Sequence, residues 1–230
     1  MLSSLLALSL AAGPSTLLVW GGGKTPEEAQ KSLAEWKAKS PQWLTYVQLA
    51  AGFPRIIESK TVAGLNSGFH IVVLGACEDG VAGTHALDLL KLLEPSVYAK
   101  DVTWAEASAC PAPVDDWNWD AEVSRVKTKQ ASLSGLLLFR EKAPDLKAVV
   151  RVDIKGGTST LKWFDETSND CELAGGLDAR GAGLAYESIC ITGRCTSNGS
   201  SKFRTTFTVK DAEVVRTVKE VEVISKMFCD

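Results

Sequence analysis

The sequence has little of what most functional assignments rest on. It holds only two histidines, the six cysteines include no C-x-x-C pair, and 25 Lys and Arg stand against 28 Asp and Glu. A zinc site or a Ser-His-acid triad therefore has few residues to draw on. With a formal net charge of −3 over 230 residues, no overall basic field exists to hold nucleic acid or an anionic membrane. No apolar run reaches the roughly 20 residues of a membrane-spanning helix, so we predict no nucleic-acid partner and no membrane span.

Two local segments resemble functional motifs without completing them. The segment 21–25 (GGGKT) follows a strand and precedes a helix, but it lacks the first glycine of a phosphate-binding loop. The acidic segment 115–120 lacks both the turning glycine and the bidentate acid of a calcium loop. No G-x-S-x-G elbow accompanies either histidine, and adjacent acids such as Asp165 and Glu166 point to opposite faces of a strand. We therefore predict no metal, no cofactor and no enzymatic activity.

The N-terminus and the cysteine content both indicate export. Residues 1–12 form a short apolar run that ends in small residues, as at a signal-peptide cleavage site, although no Lys or Arg precedes it. The alternative is that this run is the first apolar helix of the domain. An even number of cysteines is typical of exported proteins with disulfide bonds. We expect a periplasmic or extracellular protein with six half-cystines: Cys77, Cys110, Cys171, Cys190, Cys195 and Cys229.

Two prolines at positions 111 and 113 mark a domain boundary. Before them, apolar runs and capping residues alternate in the order β-α-(α)-β-β-α-β, with the bracketed helix at residues 41–51. This split βαβ pattern predicts a four-stranded antiparallel sheet with helices on one face. We therefore expect an α+β fold with a first domain at residues 14–110 and a second at residues 114–230.

In the second half of the sequence, the apolar residues follow the two-residue period of β-strands. Six strand-like runs lie between residues 133 and 223, and several of them alternate apolar and polar side chains. A glycine pair at positions 156 and 157 forms a hairpin turn between two of the runs. One buried and one wet face predict an antiparallel β-sandwich or a partly closed barrel.

Part of the first half resembles a known family. Residues 53–59 (FPRIIES) and 64–75 (GLNSGFHIVVLG), followed by an Ala- and Leu-rich helix, resemble a SPOR (sporulation-related repeat) domain, and the similarity covers residues 17–105. The sequence departs from the family by inserting residues 41–51 and by placing Cys77 where an aromatic residue is common. Members of this family bind septal peptidoglycan and prefer glycan strands stripped of their peptides. The resemblance implies that the first domain binds peptidoglycan glycan.

Candidate contact residues follow from this hypothesis. Trp20, His70, Tyr98 and Lys100 lie on strands of the first predicted sheet and are candidates for glycan binding, although strand parity alone leaves open whether they share a face. Two further aromatic side chains, Trp117 and Trp119, flank Asn118 in the predicted linker. They are candidates for stacking on a sugar or a protein partner, or for filling the contact between the domains. The alternative function is a secreted protein-binding scaffold, an inhibitor or an envelope-assembly factor, that binds no glycan.

The predicted topology also pairs two cysteines. In a split βαβ sheet the third and fourth strands end at the same edge, with one strand between them. Cys77 follows the third strand and Cys110 the fourth. Loop residues can close the gap of about 10 Å to the roughly 5.5 Å that a disulfide needs. We predict Cys77–Cys110, which leaves three connectivities for the other four cysteines. Among these we choose Cys171–Cys190 with Cys195–Cys229.

Overall fold

The computed structural model describes residues 12–120, 122–140, 145–168, 170–192 and 199–225. Over these residues the chain is rich in β-structure, with several antiparallel sheets and two α-helices. It divides into two compact units, Met1–Ala112 and Pro113–Asp230. The division falls between the two prolines of the sequence.

The first unit is built on a four-stranded sheet. Its elements are β1 (Gly13–Gly23), α1 (Pro26–Lys39), β2 (Val47–Gln48), β3 (Arg55–Glu58), β4 (His70–Cys77), α2 (Gly80–Leu93) and β5 (Tyr98–Trp104), with 3-10 turns at Ser40–Gln42 and Ser59–Thr61. The spatial order of the strands is β3-β4-β1-β5, and all neighbours are antiparallel. The two interior strands, β4 and β1, are therefore not consecutive in the chain.

Both helices begin at residues whose side chains cap them. The Thr25 hydroxyl accepts a hydrogen bond from the Glu28 amide at 3.3 Å, and the Glu28 carboxylate accepts one from the Thr25 amide. This reciprocal pair is a capping box, and Pro26 suits the first helical position. At α2, the Asp79 carboxylate accepts a hydrogen bond from the Val81 amide at 2.8 Å. The capping residues fix where each helix starts against the sheet.

The helix predicted at residues 41–51 is wrong. The structure has a 3-10 turn and the two-residue strand β2 there. Trp43 and Val47 are buried, and the Trp43 ring meets the Trp36 ring edge-on with centroids 6.1 Å apart. Packing of these large side chains against the first unit outweighs the local preference for a helix.

The second unit consists of strands alone over its described residues. Its strands are β7 (Trp117–Trp119), β8 (Ser124–Lys127), β9 (Ala131–Arg140), β10 (Leu146–Ile154), β11 (Ser159–Asp165), β12 (Cys171–Leu173), β13 (Asp178–Arg180), β14 (Gly183–Thr192), β15 (Gly199–Lys210) and β16 (Glu213–Ser225), after the short β6 (Ala112–Pro113) at the boundary. One sheet has the order β11-β10-β9-β7, with β8 also paired to β9. The other has the order β12-β14-β15-β16, with β13 also paired to β14. Each of the six predicted strand runs lies inside one of these strands.

These two sheets share one buried cluster. Leu133 and Val150 come from the first sheet of the unit, and Leu184 and Phe207 from the second. The Phe207 ring centroid lies 4.9 Å from that of Phe164. Along β15, Thr205 and Phe207 are buried on one face, and Thr206 between them is half-buried on the other. This strand therefore has one buried and one wetter face.

Two predicted disulfides are confirmed. Cys77 bonds Cys110 with Cα atoms 4.5 Å apart, and the backbones of Ala76 and Ala109 exchange hydrogen bonds beside it. Cys171 and Cys190 face each other directly on β12 and β14, with Cα atoms 3.9 Å apart. The third predicted bridge, Cys195–Cys229, lies outside the described residues. Two bridges within one chain indicate folding in an oxidising compartment outside the cytoplasm.

The described residues include no helix that is both long and apolar enough to cross a membrane. Residues 1–11, which hold nearly all of the predicted signal peptide, lie outside the described part of the chain.

Candidate functional site

Two of the four candidate glycan contacts lie on the helix side of the first sheet. Trp20 is only 5% exposed, and the Lys39 ammonium at the end of α1 lies 5.7 Å from its ring centroid. His70 is two residues from the fully buried Val72 on β4, so both side chains point to the same face. Trp20 is thus a packing residue beneath α1, and of the other three candidates only His70 lies on the same side of the sheet.

Tyr98 and Lys100 lie on the opposite face. They pair with Val19 and Leu17 of β1, and directly paired residues share a face of the sheet. The four candidates therefore do not form one site. Sequence parity could not show this, because parity within one strand does not give the register between β1 and β5, which places Tyr98 and Lys100 opposite Val19 and Leu17.

A chain segment covers much of the face that carries no helix. We call residues 59–68 the strap. Its first residue, Ser59, is hydrogen-bonded to Phe69 beside the β3–β4 pair, and Ala63 accepts a hydrogen bond from the Thr103 amide of β5 at 2.9 Å. The strap therefore crosses the sheet from one side to the other. Val62 and Leu65 of the strap pack on a cluster that includes Leu17, Val19, Val73 and Trp104. The predicted open face is covered over most of its length.

A groove of about 610 Å³ remains at one end of this face. Val19 and Ile71 line it, together with Leu65 of the strap and two aromatic side chains, Phe69 and Tyr98. Phe69 is 41% exposed and Tyr98 is 38% exposed. Two rings open to solvent in one apolar groove form a surface suited to stacking on a flat, partly apolar ligand.

Glycines give the groove its room. Gly21, Gly22 and Gly23 at the end of β1 line one side of it and offer no side chains. Gly22 has φ +152°, and a Cβ there would lie 2.2 Å from the His70 carbonyl oxygen. Only glycine is tolerated at this position. The run that superficially resembles a phosphate loop thus forms a wall of the groove.

Polar groups surround the aromatic pair. Lys24, Asn66 and Lys100 line the groove, and none of these three side chains has a hydrogen bond or an ion pair within the described residues. Glu28 also lines it, but its carboxylate accepts hydrogen bonds from the Lys24 and Thr25 amides at 2.6 and 3.3 Å. Partial burial raises the pKa of the Tyr98 hydroxyl, which therefore stays a hydrogen-bond donor at neutral pH.

Sequence reasoning misses several of these residues. Phe69 begins the apolar run 69–74, which predicts a strand, yet it precedes β4 and remains exposed. Leu65 and Asn66 fall in a segment whose composition predicts a turn. The sequence does hold a signal for Phe69, since this large aromatic residue directly follows Gly68, a residue typical of turns. In the structure Gly68 has φ +93°, and Phe69 lies before the first paired residue of β4.

Trp117 and Trp119 belong to strand β7 of the second unit, which corrects their assignment to a linker. They pair with Arg140 and Leu138 of β9. Trp117 is 6% exposed, and the Arg140 guanidinium lies 5.0 Å from its ring centroid. Arg140 of the same unit thus covers part of the Trp117 ring, and contact of this pair with the first domain or with a partner stays a prediction.

The adjacent acids Asp165 and Glu166 are each committed to a cation. The Glu166 side chain is 1% exposed, and both of its oxygens accept hydrogen bonds from Arg216 at 2.5 Å. The Tyr186 hydroxyl donates to it at 2.7 Å, and burial raises the pKa of that hydroxyl. Asp165 pairs with Lys147 at 2.7 Å, which lowers its pKa to about 2. The Asp165–Lys147 pair joins β11 to β10 of the same sheet, and the Glu166 bonds join the residue after β11 to β14 and β16 of the other sheet.

Comparison with known proteins found no match: no family model fits the chain, and no curated protein and no solved structure is significantly similar to it. The resemblance to the SPOR family therefore stays a prediction. Over the described residues, no group of three or more His, Cys, Asp or Glu side chains is placed to hold a metal ion.

Proposed function

We propose that the protein is an exported, non-enzymatic binding protein whose first unit takes a glycan strand of peptidoglycan in the groove. The observation that carries this proposal is the exposure of Phe69 and Tyr98 on one apolar groove. Pyranose rings present faces of C–H groups that stack on aromatic rings, while their hydroxyl and acetamido groups need polar partners. Asn66 and Lys100 offer such partners at the same groove.

The architecture that we infer matches this role. The first unit is a split βαβ sheet, with helices on one side and the ligand on the other. The second unit is a β-sandwich, because two antiparallel sheets contribute side chains to one buried cluster. Export through a signal peptide at residues 1–12 would deliver the disulfide-bonded chain to the cell envelope, where peptidoglycan is found.

The alternative is a protein-binding scaffold, and one observation favours it. Aliphatic side chains are exposed toward one end of the second sheet of unit two. Ile189 and Ile191 lie on one face, Val218 and Val223 on the other, and Val221 and Ile224 at the two irregular positions of β16, each 37–52% exposed. Exposed apolar surface of this kind is typical of protein contacts.

Co-sedimentation of the full chain with purified cell-wall sacculi separates the two functions. We expect more protein to sediment with amidase-treated, peptide-free sacculi than with intact ones. Phe69→Ala and Tyr98→Ala should each weaken this binding, because each removes a stacking surface. Ile191→Ala, which truncates a similarly exposed side chain in the other unit, should leave it unchanged. Equal or absent sedimentation with the two kinds of sacculi contradicts the glycan proposal and favours the scaffold.

A further inference from the structure

We infer that the groove selects glycans whose sugars carry carboxylates, and that Lys24 and Lys100 recognise this charge. The inference rests on the proposed function, since it concerns the ligand of the same groove. It goes further in naming the chemical group that distinguishes a preferred glycan from a neutral one.

The two lysines reach the groove from different elements. Lys24 follows the glycine run at the end of β1, and Lys100 lies on β5. On β5, Lys100 is two residues from Tyr98 and on the same face, which separates their Cα atoms by about 7 Å. A sugar stacked on the Tyr98 ring therefore has its substituents within reach of the Lys100 side chain.

The groove carries an excess of positive charge. Among the residues that line it, Glu28 is the one acid, and the two lysines outnumber it. Its carboxylate already accepts two backbone hydrogen bonds at the start of α1, where the helix dipole also favours a negative charge. The lysine ammonium groups have no acidic partner within the described residues, so their charges are available to a ligand.

A neutral chain of N-acetylglucosamine would leave both ammonium groups without a counter-charge. A glycan in which alternate sugars carry a lactyl ether offers a carboxylate at each of those sugars once its peptide has been removed. While the peptide is attached, that carboxyl group is an amide and carries no charge. Each exposed ion pair is expected to raise the affinity about two- to fivefold.

The test compares one glycan in two charge states. Peptide-free strands with free lactyl carboxylates are measured against the same strands after the carboxylates have been converted to methylamides. Binding to the full chain is followed by fluorescence anisotropy at low and at high salt. We expect the methylamide form to bind about tenfold more weakly at low salt, with the difference shrinking as salt screens the charges.

Lys24→Gln with Lys100→Gln should lower the affinity for the acidic strands about tenfold and leave the affinity for the methylamide strands nearly unchanged. The backbone hydrogen bond from Lys24 to Glu28 does not involve the replaced ammonium group, so the fold should be kept. Lys37→Gln with Lys91→Gln is the matched control, since it removes the same charge from the exposed surfaces of α1 and α2.

Equal affinity for the two charge states, or an equal loss in the control variant, overturns the charge selection and leaves glycan binding intact. Failure of the protein to bind either form overturns the proposed function, and the inference with it.

Discussion

The first and second units bury their sheets in different ways. In the first unit, β1 is buried on both faces: Leu17, Leu18, Val19 and Trp20 are all 5% exposed or less. Helices cover one face and the strap covers the other. In the second unit, β15 alternates between buried and half-buried residues because its sheet packs on the other sheet with one face only. A strand with a continuous apolar sequence thus indicates that both faces of the sheet are covered, and a strand with alternating apolar and polar residues indicates that one face is covered.

This difference explains where the groove lies. Residues 17–20 and 71–74 are unbroken apolar runs in the sequence, so neither strand could present a wide, wet face to a ligand. Room for a groove remains only at the end of the sheet where β1 finishes in three glycines and the strap leads into β4. Because the two units bury their sheets differently, substitutions in them should change stability by different amounts.

Phe207→Ala should destabilise the second unit by about 3–5 kcal/mol, because Phe207 is fully buried in the cluster that both sheets share. Hydrogen exchange with mass spectrometry measures protection in each unit separately. We expect amides of β14 and β15 to lose protection while those of β1 and β4 keep theirs. A uniform loss over both units would contradict the view that each unit has its own core.

Replacing both cysteines of either confirmed disulfide by serine should cost about 3–4 kcal/mol, since each bridge reduces the number of states accessible to the unfolded chain. Cys77–Cys110 spans 33 residues and Cys171–Cys190 spans 19, so the first should cost slightly more. Denaturant unfolding of the two double variants gives both values. Thiol titration of the unmodified protein should detect no free cysteine, and peptide mapping should find Cys195 joined to Cys229. Any bridge between the units would contradict the division at residue 113.

Val62→Ala should destabilise the first unit by about 1–2 kcal/mol. The Val62 side chain of the strap packs on the sheet and is only 9% exposed. The matched change on the outer face of the second unit is Thr206→Ala. It should alter stability by less than about 0.5 kcal/mol, since that face is wet. Equal effects in thermal unfolding would show that the two sheet faces are covered to the same extent.

Acid should lower the stability of the second unit through an ion-pair network on its outer face. The Glu187 carboxylate is surrounded by Arg204, Lys202 and Arg180 at 2.7, 2.9 and 3.4 Å, which lowers its pKa from 4.5 to about 2. A carboxylate whose pKa is lower in the folded than in the unfolded state stabilises the fold at pH values above its unfolded-state pKa. This stabilisation is lost as the pH falls from about 4.5 toward 2. Glu187→Gln should therefore flatten the acid limb of a plot of melting temperature against pH. An unchanged slope would assign the acid sensitivity to other groups.

Much of the fold could be predicted from the sequence. The alternation at residues 203–209 identifies β15, and Cys77 and Cys110 can be paired because the strand order brings both ends to one edge. The short strands β7, β8, β12 and β13 could not be predicted, since three or four residues carry too little periodicity to distinguish a strand from a loop. The strap could not be predicted either, because its composition is that of a turn. Of the candidate site, Tyr98 and Lys100 line the groove, whereas Trp20 follows Val19 and therefore faces α1; the pairing of β1 with β5, which relates these residues, is not encoded in the residue pattern of either strand.

The bond between Cys77 and Cys110 also determines how the first unit bears mechanical load. Cys110 lies three residues before the boundary at Pro113, so tension that enters the first unit along the chain meets this covalent link before it reaches β5. The link passes the force to the end of β4, an interior strand held by β3 and β1. Without the link, the same pull would act on β5, an edge strand whose one ladder of hydrogen bonds can be peeled open pair by pair. Tension that reaches the first unit from the second would thus be borne by the interior of the sheet and not by its edge.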